Sequence, residues 1–233
     1  MNYNQFQRTR LLLGDSGLKT LRNSHVMVVG CGAVGSFAIE ALARAGIGHL
    51  TLVDGDSVQD TNINRQLCAT HDTLGQKKTT VLKERIHAIC PETHVSAFNL
   101  FFNSETADKV FQERPDFVID AIDVLSDKTT LILYLQQKNI PFISSMGAAL
   151  KTDFTKIKIA PLNQTSVCPL ASRLRKLLKE QNADLSFPCV FSTEKPIKAN
   201  GPDRQMGSLV SITGMFGLIL ANETILKLTQ NER

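Results

Sequence analysis

One stretch, 25-HVMVVGCGAVGSFAIEALARAGIGHLTLVD-54, constrains the fold more than any other. His25 to Val29 is a short β-branched run and reads as a buried strand. Gly30 breaks it. Small and apolar residues from Val34 to Ala45 fit a helix lying close on a sheet. Gly46 and Gly48 end that helix, and Leu50 to Val53 forms a second strand. Strand, glycine turn, helix and strand make a βαβ unit, for which a right-handed crossover is expected.

The alternation continues downstream. The sequence predicts a helix over Lys77 to Ile89, a strand over Val95 to Phe98, and a short helix to Phe111 capped by Ser104. A strand follows from Phe117 to Ile119, ending at Asp120. Then come a helix from Ser126 to Gln137 and a strand from Phe142 to Ser144. This rhythm predicts an α/β fold, a Rossmann-like, doubly wound, mainly parallel sheet. Past Gly147 the rhythm changes. Strands at Lys156 to Ala160 and Phe187 to Ser192, a basic helix from Pro169 to Glu180 and a long final helix from Ser208 to Leu228 form a small C-terminal lobe extending the sheet. Residues 1–150 are thus expected to form the nucleotide-binding part, and 151–233 a substrate and dimerisation part of the same domain. Residues 193–207 are polar and rich in Pro and Gly, which predicts a mobile loop.

Composition limits the function classes. With 233 residues, 42% of them hydrophobic, one sizeable core can form. Lys and Arg number 26 against 22 Asp and Glu, a net +4 that permits an anionic partner without requiring one. Cys31, Cys68, Cys90, Cys168 and Cys189 form no C-x-x-C pair, so no zinc ribbon is expected. Scattered cysteines in odd number suit free thiols in a reducing cytoplasm. The N-terminus lacks the apolar core of a signal peptide. The longest apolar stretch, Leu209 to Leu220, reads as too short and interrupted to span a bilayer, hence a buried helix with no membrane partner.

The chemistry concentrates at predicted strand ends. Gly30-x-Gly32-x-x-Gly35 follows one strand and opens a helix, where backbone amides and the helix dipole favour phosphate. Asp54, ending the next strand, can accept bonds from ribose hydroxyls. These features alone do not choose between NAD and ATP. Asp56 and 61-TNINRQL-67 follow, bringing Asn64, Arg65 and Gln66, and Lys78 comes later. A triphosphate asks for more cationic partners than a diphosphate, and Arg grips phosphate bidentately. A solvated helix face is the plainer explanation of Lys78 alone. Asp120 and Asp123 in 118-VIDAID-123 are candidates to hold Mg²⁺, or to serve as turn carboxylates.

With GCGAVG, the DGD turn, NINRQ, GQKK and DAID in this order, residues 8 to 150 resemble the ubiquitin-activating-like (ThiF/MoeB/HesA) adenylating superfamily. Within it, 6-FQRTRLLLGDSGLKTLRNSHV-26 and 188-PCVFSTEKP-196 most resemble the tRNA threonylcarbamoyladenosine dehydratases. Such enzymes use ATP to activate the carboxylate of the modified base beside the tRNA anticodon, which then cyclises with net loss of water. The resemblance implies that Gly30, Gly32 and Gly35 form the phosphate loop and that Asp54 holds the ribose. It gives Asn64, Arg65 and Lys78 to the phosphates and Asp123 to Mg²⁺, with Asp56 and Gln66 in the nucleotide site. Arg8, or Arg10 in a shifted register, matches an arginine that reaches the partner subunit's ATP, which implies a homodimer. A sulfur-transfer partner and a monovalent cation are further expectations. Cys189 is either a sulfur-handling residue or a packed strand cysteine. Gln205, Met206 and Gly207 stand where some relatives carry a cysteine. Arg173, Arg175, Lys176 and Lys179 are candidates for contacts with the tRNA backbone. The alternatives are an activator of a ubiquitin-like sulfur-carrier protein, against which the missing zinc pairs argue, and an NAD-dependent oxidoreductase or nucleotide-sensing module.

Overall fold

The computed structural model describes residues 3–198 and 206–230. Gln205 and most of the polar half of the expected 193–207 loop therefore lie outside the described residues. The strands are β1 (His25–Val29), β2 (His49–Val53), β3 (His94–Phe98), β4 (Phe117–Asp120), β5 (Phe142–Ser145), β6 (Ile157–Pro161) and β7 (Pro188–Ser192). They form a single seven-stranded sheet in the order β3-β2-β1-β4-β5-β7-β6. Every neighbouring pair is parallel except β6 with β7. The sheet is mixed, mostly parallel and α/β, with β6 and β7 extending it.

The helices are α1 (Gln7–Asn23), α2 (Gly35–Ala45), α3 (Lys78–Ile89), α4 (Ala107–Val110), α5 (Leu125–Gln137), α6 (Pro169–Glu180) and α7 (Val210–Thr229). Side chains alternate across each strand, so β1 feeds two cores. Val26 and Val28 pack with Leu42, Phe216 and Leu220 of α2 and α7. Met27 and Val29 pack with Leu131, Leu135, Leu174 and Leu178 of α5 and α6. A strand covered on both faces must be apolar throughout, which is why HVMVV shows no polar alternation. The chain order also reverses beside β1: β2 and β3 lie on one side, β4 and β5 on the other. That reversal opens a crevice beyond the carboxyl ends of β1 and β4, where open α/β sheets bind ligands.

Three differences from the sequence expectations have local causes. Residues 7–23 form α1, two helical pieces meeting at Gly14 (φ 79°, ψ 173°), with only Gly17, Leu18 and Leu21 buried. So narrow a buried stripe, broken by a glycine, leaves little apolar periodicity to read. Ser104 does not cap α4. The preceding turn is held by Asn103, whose Oδ1 accepts the amides of Glu105 and Thr106 at 2.9 and 3.0 Å. An Asx turn thus satisfies these amides before the helix begins. Finally, α7 is long and apolar enough, by length and composition, to cross a membrane, contrary to the expectation that it is too short. Its 20 residues bury one side against α2 and the sheet, with Ile212, Phe216, Leu220 and Ala221 inaccessible to solvent.

Candidate active site

Gly30 leaves β1 with a φ of 92°, a backbone conformation that side chains disfavour. A Cβ there would lie 2.6 Å from the Ala121 carbonyl oxygen, so the chain leaving β4 closes directly on the turn. A Cβ on Gly35 would fall 1.8 Å from the Gly30 carbonyl oxygen. These two glycines let α2 begin almost in contact with the end of β1. The amino terminus of α2, with its unpaired amides and partial positive charge, therefore faces the crevice.

Asp54 at the end of β2 braces the same turn. One carboxylate oxygen accepts the Cys31 amide and the other the Asp56 amide, both at 2.8 Å. Burial pushes its pKa up, opposed by the charge of Lys78 and by these two amides. Each oxygen keeps a lone pair for a ligand hydroxyl. Lys78, in the first turn of α3, is only 5% exposed and donates to Asp56 at 2.7 Å. Burial works to lower its pKa, but the bond to Asp56 and the charges of Asp54 and Asp56 outweigh burial and keep the ammonium above its ordinary value. A solvated helix face is thus excluded for Lys78.

A cavity of about 810 Å³ occupies the crevice, lined among others by Gly30, Gly32, Asp54, Arg65, Lys78 and Asp123. Asp56 and Gln66 line it as well. The Arg65 guanidinium is fixed on one side by the Thr61 carbonyl at 2.7 Å and the Asn64 side chain at 2.8 Å. Asp123 is exposed at the rim and makes no ion pair or hydrogen bond among the described residues. With Asp127 one helical turn further on, it supplies the hard oxygen donors that suit Mg²⁺.

Some expected residues sit elsewhere. Asn64 does not line the cavity; its amide reaches the Ser208 carbonyl at 3.3 Å and its oxygen holds Arg65. Buried Asn62, two residues earlier, lines the cavity instead. Asp120 is not free for a metal. It is fully buried, paired with Lys128 at 2.7 Å and accepting from Ser144 Oγ at 2.6 Å. A carboxylate so engaged by Lys128 and Ser144 belongs to the scaffold. Arg8 and Arg10 lie on exposed parts of α1 away from this cavity, and Arg10 pairs with Asp15 at 3.6 Å. Arg175 turns inward and donates to Thr165 and, at 3.4 Å, to the Leu162 carbonyl, so it braces α6 and does not join the exposed basic face.

Arg173 of α6, one of the expected tRNA-backbone contacts, reaches the cavity wall. The cavity also contains a residue that motif reading did not single out. Lys151 lines it too, 3% exposed and donating to the Glu194 carbonyl at 2.8 Å. Burial lowers its pKa, partly offset by Cys168 and Glu194. No periodicity or spacing marks Lys151, because it follows β5 in an irregular segment. All five cysteines are buried. Burial pushes the thiols of Cys31, Cys68 and Cys189 up, away from reactive thiolate.

Comparison with known proteins places this geometry. Residues 6–233 match the ThiF family. The tRNA threonylcarbamoyladenosine dehydratase of Bacillus subtilis is 46% identical over 193 residues, covering 83% of this chain and 76% of that protein. The dehydratase of Escherichia coli is 35% identical over 249 residues, covering 96% and 93%. The crystal structure of the E. coli enzyme, TcdA, in complex with ATP superposes with a TM-score of 0.92 over 99% of this chain and 96% of that one. Its complex with AMP gives 0.93. E. coli MccB bound to ATP, at 20% identity and a TM-score of 0.67, shares the fold.

Proposed function

The chain belongs to the ThiF family, and we propose that it is an ATP-dependent adenylating enzyme that dehydrates threonylcarbamoyladenosine in tRNA. The observation that carries this reading is the convergence of the α2 amino terminus, Arg65 and buried Lys78 on one cavity, in a chain that superposes on TcdA in complex with ATP. The phosphates lie on the amides that follow Gly30, and the ribose hydroxyls bond Asp54. Arg65 and Lys78 neutralise the phosphate oxygens and the departing pyrophosphate. Asp123 and Asp127 would hold Mg²⁺, which would supply further charge neutralisation there. The substrate carboxylate attacks the α-phosphorus and pyrophosphate leaves. Positioning supplies most of the rate, because an ionised carboxylate needs no base. A nitrogen of the substrate's urea then bonds to the acyl carbon, AMP leaves with the carboxylate oxygen, and the ring closes.

Arg173 at the cavity wall, with exposed Lys176 and Lys179 on the same helix, suits the tRNA backbone. Arg8 serves the second copy of a homodimer and completes that copy's site. Free buried thiols fit a cytoplasmic setting. Of the five buried cysteines, Cys168 lines the cavity, where a sulfur-transfer partner could reach it only through the site itself.

The test is incubation of the protein with ATP, Mg²⁺ and tRNA bearing threonylcarbamoyladenosine, followed by mass spectrometry of the digested nucleosides. Loss of one water from the modified nucleoside is expected. Pyrophosphate exchange that depends on a ubiquitin-like carrier protein, with the nucleoside unchanged, would favour the carrier-activating alternative.

A further inference from the structure

Three parallel strands of this chain begin with histidine: HVMVV, HLTLV and HVSAF. The register pairs His25 with His49 and His49 with His94, so the three imidazoles stand side by side at the amino edge of the sheet. The rings of His25 and His49 stack at 3.7 Å, and that of His94 meets His49 edge-on at 4.5 Å. Glu113, from the loop before β4, brings its carboxylate to 3.8 Å from His49 Nδ1. One ligand atom from each of His25, His49 and Glu113 lies within 4.8 Å of the others. The edge is roughly 15 Å from the nucleotide cavity, the length of a five-residue strand.

We propose that His25, His49 and Glu113 bind a first-row divalent metal ion, Zn²⁺ above all, with His94 or water completing the set. Two imidazoles and a carboxylate are a donor set that zinc accepts. Hydroxyls already orient the rings: Thr51 Oγ1 lies 2.7 Å from His25 Nε2, and Ser96 Oγ lies 3.2 Å from His49 Nε2. His49 Nδ1 faces Glu113, while the His25 ring also bonds the Arg114 backbone, a contact that ligation would displace. Ligand atoms around tetrahedral zinc sit roughly 3.3 Å apart, given bonds of about 2.0–2.2 Å. Ligation therefore needs a swing of the exposed Glu113 side chain and an opening of the His25–His49 stack.

Metal-stripped protein titrated with Zn²⁺ against a chromogenic chelator should bind one ion per chain. His49→Ala should weaken binding by about 100-fold, and Glu113→Gln, a surface change that leaves folding alone, by about 10-fold. At one equivalent, Zn²⁺ should raise the melting temperature of the wild type more than that of either variant, and Co²⁺ should give its strongest tetrahedral spectrum in the wild type. ATP–pyrophosphate exchange should be the same with and without zinc, which separates this site from the adenylation reading. The assignment is overturned if the wild type binds no zinc, or if either variant that folds binds it as the wild type does.

Discussion

At the scale of single residues, burial divides the charged groups into those that hold the scaffold and those that face the ligand. Lys128 and Asp120 are both sealed from solvent and bonded to each other at 2.7 Å. Replacing Lys128 with Met leaves a buried carboxylate without its counter-ion. Urea denaturation should show a loss of about 3–5 kcal/mol, the cost typical of breaking such a pair from one side. Lys78 is equally hidden but lines the cavity. Lys78→Ala should keep the fold, because Asp56 is half open to water and can be solvated. Turnover of threonylcarbamoyladenosine should fall by roughly 100-fold or more, as expected when a phosphate-neutralising group is removed. Full activity in that variant would remove Lys78 from the mechanism.

Among the elements, α7 and α2 meet more closely than any side chain allows. A Cβ on Gly217 would lie 2.3 Å from the Val34 carbonyl oxygen and 2.8 Å from Phe37 Cβ. Val34 immediately precedes α2, and its carbonyl closes the first turn of the phosphate-facing helix on Ala38 at 3.2 Å. Gly217→Ala should therefore push the two helices apart, at a cost of about 1–3 kcal/mol for overpacking. It should also weaken ATP binding although it never touches the cavity. Differential scanning calorimetry and a nucleotide titration on one preparation would check both effects; a change in neither would mean that α7 shifts without disturbing α2.

For the molecule as a whole, α1 is the part that one chain leaves unexplained. Leu11 and Leu12 are 70% and 80% exposed, beside Arg8. Large apolar side chains next to an arginine with no partner among the described residues suit contact with a second copy. Leu12→Asp should convert a dimer to a monomer in analytical ultracentrifugation and reduce adenylation in step, because Arg8 would no longer reach the neighbouring nucleotide. A wild-type protein that sediments as a monomer at micromolar concentration would end the proposal for both residues.

The sequence by itself determined the parallel sheet, the glycine turn and the order of the strand-end residues. Each depends on local backbone freedom or on a two- or 3.6-residue periodicity, which neighbours along the chain are enough to specify. Spacing alone left Asp120 and Asp123 both open as metal ligands, and only the family resemblance chose Asp123. These two carboxylates differ by a single strand-end turn, and only the packing of α5 against β4 gives the first to Lys128 and leaves the second at the rim. The same holds for Asn62 against Asn64, for Lys151, and for the inward turn of Arg175. The three histidines, far apart in sequence, become neighbours only through strand register. Contacts between residues distant in the chain carry no local period, so their partners exist only once the tertiary structure has chosen them.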